Sequence, residues 1–168
     1  MSMQPQEKKY RVNSLAPILK IIRGKNLPHI KYVRSTHYYG EHTGNDVEKF
    51  VEYPDRIEVH VLKESGGTFT LVDHFPLSSK EEGFAWLKKR GYTTANIITM
   101  EYDEYEYDGG VIDTYLIDGF LPSVILYYPG GKHEPVAALF GLTDAPLIDT
   151  PYNKYLASLG KLRSVPIM

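Results

Sequence analysis

Glutamate, lysine and arginine alternate at Glu7, Lys9 and Arg11, and arginine, glutamate and histidine do the same at Arg56, Glu58 and His60. In an extended chain residues i and i+2 share a face, so each trio presents its charges in one direction. Cationic side chains in such an array donate charge-assisted hydrogen bonds to phosphate oxygens, and converging carboxylates hold Mg²⁺ or Mn²⁺ for phosphoryl chemistry. The pattern lets Glu7, Lys9, Arg11, Lys49, Arg56, Glu58, His60 and Lys63 line one pocket as candidate ligand-binding groups. The same residues also suit the solvated face of a strand, and the sequence leaves both readings open.

Other chemistries find less support. His37 and His42 flank Glu41, but their spacing is loose and supplies no third evident zinc ligand of the usual kind. Ser65-Gly66-Gly67 and Pro129-Gly130-Gly131-Lys132 are glycine-rich without the spacing of a phosphate-binding loop, and are read as turns. No Gly-x-Ser-x-Gly elbow is present, and a chain without cysteine has no disulfide, thiolate metal site or cysteine nucleophile. The acidic tyrosine run Glu101 to Asp108 divides its carboxylates between two faces: Met100, Tyr102, Glu104 and Glu106 on one, Glu101, Asp103, Tyr105 and Tyr107 on the other. It is read as a hairpin with a solvated edge.

Nineteen basic against 21 acidic residues give a net charge of −2, too little for a strong nucleic-acid or membrane-surface signal, so polyanion binding would have to be local. The opening MSMQPQEKKY lacks the apolar core of a secretory signal, and no apolar run reaches the ~20 residues of a membrane span. A soluble, cytoplasmic chain with one domain over residues 1–168 is expected, since 42% apolar content in 168 residues suits one sizeable core.

The elements that must position these residues follow from hydrophobic period and punctuation. Strands are expected at 8–12, 31–39, 47–53, 57–63, 68–75, 97–108, 111–117 and 123–128. Ile57, Val59 and Val61 give the fourth of these one apolar face. Helices are expected at 15–23, at 81–90 after Ser78-Ser79, at 134–140, and at 151–159 with Thr150 as cap and Pro151 in the first turn. Hairpins are placed at Ser65-Gly66-Gly67 and Gly109-Gly110, and the tail KLRSVPIM is expected to be loose. Runs of strands with few helices give an α+β fold, and about eight antiparallel strands can close into a barrel or tunnel.

The order of these elements resembles the CYTH family of class IV adenylyl cyclases, thiamine triphosphatases and other triphosphate-tunnel enzymes. That family opens on a Glu-x-Glu-x-Lys strand, and here Glu7 and Lys9 match its second Glu and its Lys while Pro5 takes the place of the first Glu. His37-Tyr38-Tyr39-Gly40 stands where a Tyr-Tyr strand is expected, and Glu82-Gly83-Phe84 through Trp86-Leu87-Lys88-Lys89-Arg90-Gly91-Tyr92 resembles the central helix and its terminating glycine. Ile112-Asp113-Thr114-Tyr115 resembles an aspartate-bearing strand. The chemistry matches less well than the frame. Met100 and Tyr102 occupy the places of a Lys-x-Arg pair, and Leu126 and Tyr128 those of a Glu-x-Glu pair.

The resemblance therefore implies a CYTH-like α+β fold, an antiparallel barrel or tunnel with flanking helices. It implies further a catalytically degenerate binding or interaction module, with a nucleotide or other triphosphate ligand held through Lys9, Arg11 and Arg56. Two other readings stand beside it. One is an active triphosphate hydrolase or adenylyl cyclase using Mg²⁺ or Mn²⁺ at Glu7, Glu58 and the acidic hairpin. The other is a structural protein that docks a protein partner through its tyrosine-rich sheet face. If the last strands turn their even-numbered residues inward, Met100, Tyr102, Leu126 and Tyr128 line the tunnel.

Overall fold

A computed structural model describes residues 5–168. In chain order its elements are β1 (Pro5–Arg11), α1 (Ala16–Gly24), β2 (His29–Gly40), β3 (Val47–Glu52), β4 (Ile57–Ser65), β5 (Thr68–Leu77), α2 (Lys80–Lys89), β6 (Thr94–Tyr107), β7 (Gly110–Ile117), β8 (Leu121–Pro129), α3 (His133–Leu139), α4 (Tyr152–Ser158) and β9 (Arg163–Pro166). The strands run in the order β2-β3-β4-β5-β1-β8-β7-β6, and a β2–β6 pairing closes this antiparallel ring of eight. The fold is thus a CYTH-like α+β barrel with helices on its flanks. Closure leaves the ring strands without a free edge.

Period two decides what each strand shows to either side. On the outer face of β1, β7 and β8, Tyr10, Ile112, Val124, Leu126 and Tyr128 pack against Ile18 and Ile22 of α1 and Val136 and Ala137 of α3. On the opposite flank Tyr38, Phe50 and Val59 pack with Leu87 of α2. Helix α2 starts where its caps place it: Ser79 Oγ accepts from the Glu82 amide at 3.2 Å, and the Glu82 carboxylate accepts from the Ser78 amide at 2.9 Å. Its Gly83 rides directly on Phe50, since a Cβ there would lie 2.6 Å from the ring.

Asp108-Gly109 and Asp118-Gly119 all have positive φ, the conformation of a tight two-residue hairpin. The first turn therefore sits one residue ahead of the expected Gly109-Gly110, and Gly110 opens β7 opposite Tyr107. Two expectations need correction. The run 101–108 is no sheet edge, because β6 pairs with β2 on one side and with β7 on the other. The tail is not loose, since Arg163–Pro166 pairs with Ile97–Thr94 as β9.

Candidate functional site

The inside of the barrel is divided in two along its axis. Toward one end, inward side chains of the ring strands, among them Tyr39, Val47, Phe69, Ile98, Ile117 and Leu121, enclose Tyr152 and Leu156 of α4, so that helix acts as a plug. Three of its polar side chains are tied to the wall, while Asn153 Oδ1 has no partner. The hydroxyls of Tyr152 and Ser123 share a 2.7 Å hydrogen bond, Asn153 Nδ2 donates to Asn96 Oδ1 at 2.9 Å, and Lys154 Nζ reaches the Thr43 carbonyl. The plug is fastened by bonds that an apolar helix alone would lack.

Toward the other end lies a cavity of about 210 Å³ to which all eight ring strands contribute, through Glu7, His37, Lys49, His60, Leu71, Tyr102, Glu104, Asp113, Ile125 and others. Pairing brings these groups together: Lys49 lies opposite His60 across β3 and β4, and Glu104 lies opposite Asp113 across β6 and β7. Tyr102 and Tyr115 stack at 4.5 Å between ring centroids. The register of β3 and β4, ambiguous from sequence, sets Lys49 and His60 on the cavity wall and Val59 behind it.

Lys9 marks the boundary between plug and cavity. It is buried, its Nζ donates to the Thr150 carbonyl at 2.8 Å, and it lies 3.9 Å from the Phe69 ring centroid and 4.4 Å from that of Tyr152. Burial lowers its pKa to about 7, against the pull of Glu7. Lys49 is lowered to about 8, again by burial opposed by Glu7, and its Nζ lies 3.3 Å from the Tyr39 hydroxyl. Glu7 itself is raised by burial, with Lys49 and Lys9 working in the opposite direction.

The two histidines of the cavity are held neutral. Burial and Lys49 lower His37 well below its ordinary value and bring His60 to about 4. His37 Nε2 is 2.9 Å from Ser35 Oγ, while its Nδ1 has no hydrogen-bond partner. Asp113 is 8% exposed, and its Oδ1 is likewise unpartnered. Burial raises its pKa to about 9, helped by the charge and hydrogen bonding of Glu104. This carboxyl is neutral at pH 7.

Of the residues singled out by spacing, Glu7 and His60 line the cavity and Lys9 abuts it. The others do not join them. Arg56 is held by Glu58 at 2.6 Å and by Asp55 at 3.0 Å, Arg11 is exposed and donates to the Tyr155 hydroxyl, and Lys63 faces the outer surface with Asp46. Glu58 stands beside the cavity residue His60, at 2.9 Å; burial raises its pKa, and the hydrogen bonds from His60 and Arg56 outweigh that, leaving it lowered. The inward set of β8 also differs from expectation. Ile125 and Tyr127 face the cavity, whereas Leu126 and Tyr128 pack outward under α1 and α3, so only Met100 and Tyr102 of the four expected lining residues point inward.

The Mg²⁺ or Mn²⁺ implied by the resemblance can be tested against these donors. Among the described residues no three or more His, Asp or Glu side chains converge on a point that could hold a metal. Glu58 is engaged by Arg56 and His60 and is not among the carboxyls that line the cavity, so Glu7 and Glu58 do not form the set that a hard dication needs. Glu104 and Asp113 belong to neither alternating trio, although counting outward from the Asp108-Gly109 turn places them opposite each other.

No family model matches this sequence, and no curated protein matches it. Solved structures do. The PH1012 protein from Pyrococcus horikoshii OT3 superposes with a TM-score of 0.75 at 14% identity, covering 89% of this chain and 97% of that one. A conserved hypothetical protein from Pyrococcus furiosus gives 0.72 at 16%, covering 89% and 98%. A structure described as a putative adenylate cyclase from Vibrio parahaemolyticus gives 0.67 at 15%, covering 92% and 99%. At such identities the likeness establishes the CYTH-like barrel and nothing of the chemistry inside it. No helix among the described residues is long and apolar enough to cross a membrane.

Proposed function

We propose that this chain is a catalytically degenerate binding module on a CYTH-like barrel: it keeps a ligand cavity and has lost the triphosphate chemistry associated with the fold. The observation that carries the reading is the content of the inner wall. Met100 and Tyr102 of β6 and Ile125 and Tyr127 of β8 give the inner wall apolar and aromatic groups, and its three carboxyls, Glu7, Glu104 and Asp113, leave little positive charge for a triphosphate. Lysines do not make up the loss. Lys49 is the cavity's lysine, and the Lys9 ammonium is committed to the Thr150 carbonyl of the plug. A nucleotide held through Lys9, Arg11 and Arg56 would have to draw together three side chains that are now engaged apart.

The test is a thermal-shift panel of tripolyphosphate, ATP, thiamine triphosphate and cyclic nucleotides with and without Mg²⁺, run beside small organic cations. A ligand at about 100 times its dissociation constant adds ~2.7 kcal/mol. The proposal expects no stabilisation that requires metal and triphosphate together. Such a response would restore the enzyme reading.

A further inference from the structure

The cavity's chemistry is that of a cation receptor. Three carboxyl groups, Glu7, Glu104 and Asp113, line it with one lysine, Lys49, and two histidines that stay neutral. Lys49 comes from β3, whereas Glu104 and Asp113 come from β6 and β7. Directly beside that pair the Tyr102 and Tyr115 rings stack on each other and line the cavity, so aromatic surface adjoins the carboxyls.

Asp113 adds an observation independent of composition. It is more than nine-tenths buried on the cavity wall, yet its Oδ1 accepts nothing. A buried carboxyl oxygen without a donor is costly and uncommon, so the position calls for a partner. His37 Nδ1, buried on the same wall, is unpartnered as well. The cavity volume, about 210 Å³, leaves room for a short alkylammonium.

We infer that the cavity binds a small primary ammonium ion, whose N–H groups donate to Asp113 Oδ1 and whose alkyl part lies against the Tyr102 and Tyr115 rings. The inference rests on the binding-module reading and gives that module its ligand class. Charge matching requires Asp113 to give up its proton to solvent as the ammonium enters, because the pair with Glu104 otherwise holds it. The groups that face Asp113 are Glu104 and Tyr102 on β6, Tyr115 on its own strand, Glu7 on β1 and, at the rim, Lys31 on β2, which lies 3.9 Å from Glu104. Of these only Lys31 carries positive charge, and it is half exposed.

Titration calorimetry with n-butylammonium chloride and, separately, with sodium tripolyphosphate tests this. Butylammonium is expected to bind the full chain near pH 7 and to release a proton, seen as a heat that changes with the ionisation enthalpy of the buffer. Asp113→Asn should weaken binding about tenfold or more and abolish the proton release. Glu104→Gln, which leaves the buried Asp113 in place, should also weaken binding, so the inference does not depend on one variant folding. Tripolyphosphate binding with silence from butylammonium would overturn the ammonium assignment and leave the binding module standing. Silence from both titrants would overturn the assignment, and metal-dependent cleavage of tripolyphosphate would overturn the module as well. Butylammonium binding unaffected by either variant would also overturn it.

Discussion

The two halves of the barrel interior are built from the same strands with the same alternation, yet they do opposite things. On β6, Ile98 and Met100 face the plug while Tyr102 and Glu104, the next inward positions, face the cavity. On β7, Ile117 belongs to the plug and Asp113 to the cavity. In the plugged half apolar groups meet at close range, and the Tyr152 hydroxyl and Asn153 Nδ2 find hydrogen-bond partners while Asn153 Oδ1 does not. In the open half Asp113 Oδ1 and His37 Nδ1 have none. The contrast teaches that closure of a sheet fixes only which residues point inward. Filling the space with a helix, or leaving it lined by carboxyls and tyrosines, makes one half structural and the other receptive.

The largest expected break in this contrast is Leu156→Ala. Leu156 is fully buried in the plug, and truncation should cost ~2–5 kcal/mol, read as a lower denaturant midpoint. Tyr152→Phe tests the fastening rather than the packing. It leaves the buried Ser123 hydroxyl unpaired and should cost ~1–3 kcal/mol in urea unfolding.

Asp113→Asn sharpens the comparison through pH. Burial and Glu104 lift the folded-state pKa of Asp113 from 3.8 to about 9, so the folded chain binds more protons than the unfolded chain between those values. The stability this residue contributes is present below about pH 4 and is lost as pH rises toward about 9. The lysines act in the opposite sense, because Lys9 and Lys49 are lowered to about 7 and about 8; stability from them rises with pH up to their ordinary 10.5. They are common to both proteins and cancel to first order in a difference. Parallel unfolding curves should therefore show the Asn variant gaining on the parent steadily from pH 5 to pH 8.5. A constant difference would mean that Asp113 titrates like a solvated carboxyl.

Lys63→Ala should do least. Its ion pair with Asp46 lies on the surface, so a stability change of ~1 kcal/mol or less and no change in ligand response are expected. A thermal-shift panel that depended on Lys63 would return it to the site that spacing assigned it.

How much of this the sequence disclosed differs between the two halves. The strands, helices and hairpins were legible because Ile57, Val59 and Val61 alternate, Ser79 and Glu82 cap α2, and glycine marks the turns. The inward face of β8 was not, because Ser123 to Tyr128 is buried on nearly every position and shows no polar–apolar alternation from which to read a face. The plug was equally hidden. Tyr152 and Leu156 read as one face of a short helix, and nothing local says that this face enters a barrel. Lys9 is recognisable as a cation on the inward side of β1, but its engagement with Thr150 depends on a contact 141 residues away. The tail strand β9 has only four residues, too few for a period to show.

The central claim is that the barrel has kept a cavity and lost the triphosphate chemistry of its frame. Phosphate release from tripolyphosphate and ATP, measured with Mg²⁺ and with Mn²⁺ for the parent chain and for Glu7→Gln, tests it most directly. The account predicts release at the protein-free rate for both proteins with either metal. Metal-dependent release by the parent chain that Glu7→Gln abolishes would contradict it.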